Sequence, residues 1–168
     1  PSGDLYVSDM YNHRIQRWKP GATVGITAAG GNGFGYGPSQ LEEPGKIDID
    51  SQGNLYIADT GNNRIQKWEY GGLTGTTVAG GNGLGNELNQ LYNPFGIAVD
   101  NDGTIYVSEL SNHRVTKWSV GASEGEIVAG GNGEGSNPDQ LAIPMGIAIN
   151  KNGDLFVADT YNHRVQLW

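Results

Sequence analysis

The sequence contains no cysteine, which removes disulfides and thiolate chemistry and leaves the redox compartment open. No apolar run approaches the roughly 20 residues that a membrane-spanning helix needs, so membrane insertion is not expected. No Asn-x-Ser/Thr acceptor occurs, and the opening Pro1-Ser2-Gly3-Asp4 does not read as a signal peptide. Basic charge is scarce: 10 Lys and Arg face 18 Asp and Glu, for a net charge of −8. Such a surface repels phosphate backbones, which argues against nucleic acid as a partner. No stretch shows the 3.6-residue periodicity of an amphipathic helix.

What is present is repetition. The segment from Asp4 to Trp18 returns at 54–68, 104–118 and 154–168, and Trp18, Trp68, Trp118 and Trp168 stand fifty residues apart without insertion or deletion. A period of that length, built from short strand-like runs and turn signals, marks a propeller or a solenoid. The 28 glycines recur in register with it, so they are turn and close-packing positions rather than a linker.

One unit shows the pattern. Ile97 to Asp100 alternates as a strand, Asn101-Asp102-Gly103 signals a tight turn, and Ile105 to Ser108 is a second strand. A polar loop through His113 leads to Arg114–Trp118, a third strand, and Glu126–Gly130 is the fourth. Four antiparallel strands per period make one propeller blade, so the expected class is all-β. The units run 1–43, 44–93, 94–143 and 144–168, with three, four, four and three strands. This is an open arc of about 3.5 blades, fewer than a closed ring of four to eight. Bare strand edges at both ends are pairing templates, so further blades are expected, from the same longer chain or from other copies.

The loop and third strand, Asn12-His13-Arg14-Ile15, Asn62-Asn63-Arg64-Ile65, Asn112-His113-Arg114-Val115 and Asn162-His163-Arg164-Val165, resemble the NHL repeat. The upstream Pro94-Phe95-Gly96-Ile97-Ala98-Val99-Asp100 agrees. The resemblance covers nearly the whole chain and implies a β-propeller, most often six-bladed. A ring of that size needs on the order of 300 residues at this period. The family's functions range over interaction scaffolds, receptor sensors, RNA binding and a few lyases or hydrolases, and the fold does not choose among them.

Most polar residues have a structural use available. His13, His113 and His163 share one position with Asn63 on separate blades, too far apart to converge on a metal, so no metal or cofactor is expected. Asp9, Asp59, Glu109 and Asp159 each precede Arg14, Arg64, Arg114 and Arg164 by five residues, a spacing that lets each pair meet across a hairpin. Asn12, Asn62, Asn112 and Asn162 belong to the same repeated motif. The Ala-Gly-Gly-Asn-Gly runs are not phosphate loops, because no helix follows them. Tyr6, Tyr56, Tyr106, Phe156 and the tryptophans are expected to fill the space between blades.

The informative positions break the repeat. Lys46 and Asp48 replace a Gly/Ala pair on the first strand of one blade, two apart and thus on one face. They read as a ligand contact at the channel mouth, or alternatively as an internal salt bridge. Phe95 and Met145 add apolar rim surface, and Tyr36 and Tyr92 lie in variable connections on the same face as the Asn-His-Arg loops. The expected function is a non-catalytic scaffold that binds a protein, peptide or glycan, outside the cell or on its surface. The alternative is part of a metal-dependent propeller lyase or hydrolase whose site further blades complete.

Overall fold

The computed structural model describes residues 3–168 as four antiparallel sheets. The first joins β1 (Leu5–Asp9), β2 (Arg14–Trp18) and β3 (Ile26–Gly30); the second joins β4 (Pro44–Ile49), β5 (Leu55–Asp59), β6 (Arg64–Trp68) and β7 (Gly75–Gly80). The third joins β8 (Pro94–Val99), β9 (Ile105–Glu109), β10 (Arg114–Trp118) and β11 (Glu126–Gly130). The fourth joins β12 (Pro144–Ile149), β13 (Leu155–Asp159) and β14 (Arg164–Leu167). The strand inventory of three, four, four and three is the one the sequence spacing requires. Among the described residues no helix is long and apolar enough to cross a membrane.

Two local features are finer than the sequence reading. The polar loop between second and third strands is a single 3₁₀ turn in three copies, for example Thr60–Asn62, closed by Asn63 at φ 51°. The Asp-Gly turn of the third blade is not the two-residue hairpin with both central residues at positive φ. Of its residues only Gly103, at φ 83°, is left-handed, and the Gly103 N–H donates to Asp100 O at 3.1 Å. The Asp100 carboxylate holds the turn, accepting from the Asp102 and Thr104 amides at 2.9 Å each.

The core lies between sheets. From one sheet come Ile15 and Ala29, joined by Leu41 of the connection that follows it; from the next come Leu55, Ile57 and Trp68, and they close a single apolar cluster. The set repeats with Ile65, Ala79 and Leu91 against Ile105, Val107 and Trp118, and again with Val115, Ala129 and Leu141 against Leu155 and Val157. Trp68 and Trp118 are almost fully buried. Each indole plane is covered by a glycine at the start of the fourth strand, Gly75 opening β7 and Gly125 just before β11, with no room for a Cβ at either. At the first sheet Leu5 and Val7, the counterparts of Leu55 and Ile57, are bare at 61% and 40% exposure; at the last, Val165 is 69% exposed. No sheet of the described residues covers them.

Candidate functional site

The second-to-third-strand loops and the long glycine-rich connections share one face, the top. Their joining bonds show it: Gly81 N donates to Asn63 O at 3.1 Å, and Asn62 Nδ2 donates to Gly35 O at 2.8 Å. The first strands β4, β8 and β12 stand side by side on the inner edge.

The repeated acid and arginine meet in every copy, with Nε-to-carboxylate distances of 2.8 Å for Arg14–Asp9 and Arg114–Glu109 and 2.7 Å for Arg64–Asp59 and Arg164–Asp159. The remaining guanidinium nitrogens leave the blade. Arg64 donates to the carbonyls of Tyr36, Gly37 and Gln40 at 2.9, 3.3 and 3.3 Å, all in the connection from the preceding blade. Arg114 does the same with Asn86, Glu87 and Gln90, and Arg164 with Ser136, Asn137 and Gln140. Three of the carboxylates also accept across the seam: Asp59 from Glu42 N at 2.7 Å, Glu109 from Tyr92 N at 3.2 Å and Asp159 from Ala142 N at 2.7 Å. Asn12, Asn62, Asn112 and Asn162 each donate to the carboxylate of their own blade.

Burial and hydrogen bonding oppose one another in setting the proton affinity of these acids. Asp59, fully buried, is pushed up by desolvation against the bonds from Glu42, Asn62 and Arg64. Asp9 is held down by Asn12 and Arg14 in the open. At Asp159 burial pushes up, but the bonds from Ala142 N, Asn162 and Arg164 outweigh it and the group stays below the usual value.

The histidine position has a definite duty. His13 Nδ1 accepts from Glu43 N at 3.1 Å, His113 Nδ1 from Ile143 N at 3.3 Å, and Asn63 Oδ1 from Asn93 N at 2.9 Å. Histidine and asparagine interchange there because each offers one acceptor at the same place. The donors Glu43, Asn93 and Ile143 are left-handed at φ 45°, 49° and 50°, which for the β-branched Ile143 is a strained backbone. This latch between blades was not legible as such in the sequence.

The rim residues divide. Tyr36 donates its hydroxyl to Gly81 O at 2.7 Å, and its ring lies 4.2 Å from the Arg64 guanidinium. Tyr92 is half-buried in the connection before the third blade, Phe95 on that blade and Met145 on the fourth. Asp48 braces two inner strands, accepting from Val99 N at 2.7 Å and from Ile49 N at 2.8 Å. It forms no salt bridge with Lys46, which is exposed. Phe34, Tyr36 and Leu84 add exposed apolar surface in the first two connections. Among the described residues no group of three or more His, Asp or Glu side chains converges to hold a metal.

Sheets of this kind, packed face to face around inner first strands, define a β-propeller, incomplete in this chain. Solved structures agree on the fold. An auxiliary nutrient binding protein from Bacteroides thetaiotaomicron VPI-5482 is similar at 16% identity and TM-score 0.74, over 99% of this chain and 45% of that one. A nidogen/laminin complex matches at 18% and 0.74, over 99% and 56%, and a streptogramin B lyase at 15% and 0.63, over 99% and 51%. The chain thus spans about half the length of the structures it matches. None of the curated proteins matches it in sequence. The NHL repeat model matches residues 41–68, 91–118 and 141–167, and the chain belongs to the NHL-repeat β-propellers. Each matched stretch begins just before a first strand, which the copy around Asp4–Trp18 does not have among the described residues.

Proposed function

We propose that this chain is part of a non-catalytic binding module whose top face and channel mouth receive a protein, peptide or glycan. The observation that supports it is the division of labour on that face. The repeated acids, arginines and asparagines are bonded within or between blades, and what varies is the rim: Lys46, Tyr92, Phe95, Met145 and the apolar surface of Phe34 and Leu84. Variable side chains on a rigid repeated scaffold are where recognition is built. The nutrient-binding and nidogen/laminin structures are compatible with this reading at the level of fold.

Peptide and glycan arrays probed with the chain test it. A specific ligand whose binding falls on Phe95→Ala or Met145→Ala, with thermal unfolding unchanged, supports the reading. No specific ligand on either array, together with stoichiometric zinc or calcium in the purified protein, favours the metal-dependent lyase or hydrolase instead.

A further inference from the structure

The geometry points to Lys46 as the anchor of a carboxylate-binding position at the channel mouth; this deepens the binding-module reading and rests on it. The equivalent residue is glycine in both sister strands, Gly96 and Gly146. In β4 the glycine stands one place earlier, at Gly45. A Cβ there would lie 2.8 Å from Thr60 Oγ1 and 3.0 Å from the Phe95 carbonyl oxygen. The shift leaves position 46 able to carry a side chain. Lys46 extends until its Nζ is 3.2 Å from where a Cβ on Gly146 would be, so the glycine at 146 keeps room for the ammonium.

No hydrogen bond or ion pair with a described residue holds that ammonium. The carboxylate two places along, Asp48, has an oxygen committed to each of the Val99 and Ile49 amides. Three N–H donors therefore face the channel without an acceptor from the chain. The same rim carries Phe95, whose ring reaches within 3.1 Å of the Gly45 Cβ position, and Met145, which precedes Gly146 in the chain. One compact cation on a rim with apolar side chains matches a singly charged carboxylate on an apolar body. A doubly charged phosphate would meet the acidic field of Glu42, Glu43 and a chain of net charge −8 with one cation to offset it.

The carboxylate can belong to a free small acid or to an acidic side chain of a peptide, and the two are separable. The probes are 3-phenylpropionate, a short peptide containing Phe-Glu-Phe, and the same peptide with Phe-Gln-Phe, each titrated while the lysine Nζ resonances are followed. The expected result is a saturable shift at Lys46 with the exposed Lys19 and Lys151 as unmoved references. 3-Phenylpropionate saturating by itself identifies a free acid; response to the Glu peptide alone identifies an acidic side chain. Lys46→Met, checked for an unchanged melting transition, should weaken binding about tenfold or more, as should Glu→Gln in the peptide. Lys46 responding to neither probe beyond Lys19 and Lys151 overturns the carboxylate position. An array ligand bound equally well by Lys46→Met overturns it too, while leaving the binding-module reading intact.

Discussion

Arg64 and Arg14 are the same residue of the same motif, and they live in different chemistry. Arg64 and Asp59 are buried, and three carbonyls of the preceding connection complete the guanidinium. Arg14 and Asp9 keep their bond at 2.8 Å, yet their side chains are 35% and 29% exposed, and among the described residues no preceding connection reaches them. One sequence pattern thus gives a structural keystone inside the arc and a solvated pair at its first blade. What a repeat contributes depends on its neighbour as much as on its own residues, as expected where stability is a sum of units and interfaces.

The largest effect expected from that contrast is at the buried pair. Arg64→Met should cost about 3–5 kcal/mol, because it leaves the buried Asp59 carboxylate without its cation. Arg14→Met should leave the unfolding transition nearly where it was, since exposed pairs contribute little. Equal losses in denaturant titration would break the comparison. Next come the apolar seams: Leu91→Ala should cost about 2–5 kcal/mol and Leu5→Ala about 0.5 kcal/mol or less, measured the same way.

A smaller effect sharpens the latch. His113→Asn should keep the acceptor for Ile143 N and preserve stability, whereas His113→Ala removes it at a cost of about 1 kcal/mol. If asparagine proves as damaging as alanine, the shared-acceptor account of the histidine position fails. The last test is a carboxyl titration by NMR, which should find Asp9 and Asp159 below the ordinary aspartate value and Asp59 above it. The depressed groups stabilise the fold above their unfolded value, and that contribution is lost as pH falls through the native one. Asp59 has the opposite sign: its ionisation weighs against the fold, and acidification through the raised value relieves it. Asp59 titrating below Asp9 would show that desolvation does not dominate at the buried copy.

The sequence carried the fold unusually far, because period, strand alternation and turn residues all repeat in one register. The five-residue spacing of acid and arginine also foretold the hairpin contact. The other half of the arginine's environment was hidden, since its partners at 36, 37 and 40 are backbone carbonyls and any residue supplies one. The latch was hidden: the repeated His and Asn read only as structural, and Glu43, Asn93 and Ile143 share no side-chain chemistry that would mark them as donors. At the rim, the order Gly45-Lys46 against Phe95-Gly96 was legible as a departure, while the capture of Asp48 by Val99 N was not, because it joins residues 51 positions apart.

The guanidinium cradles have a direction. Every carbonyl that Arg64, Arg114 or Arg164 grips belongs to residues 24–28 positions earlier in the chain, never later. On a ribosome, which releases the N-terminal end first, each cradle is already synthesised when its arginine emerges. A new blade can therefore dock on what is behind it without waiting for what is still to be translated, so the arc is suited to being laid down one blade at a time.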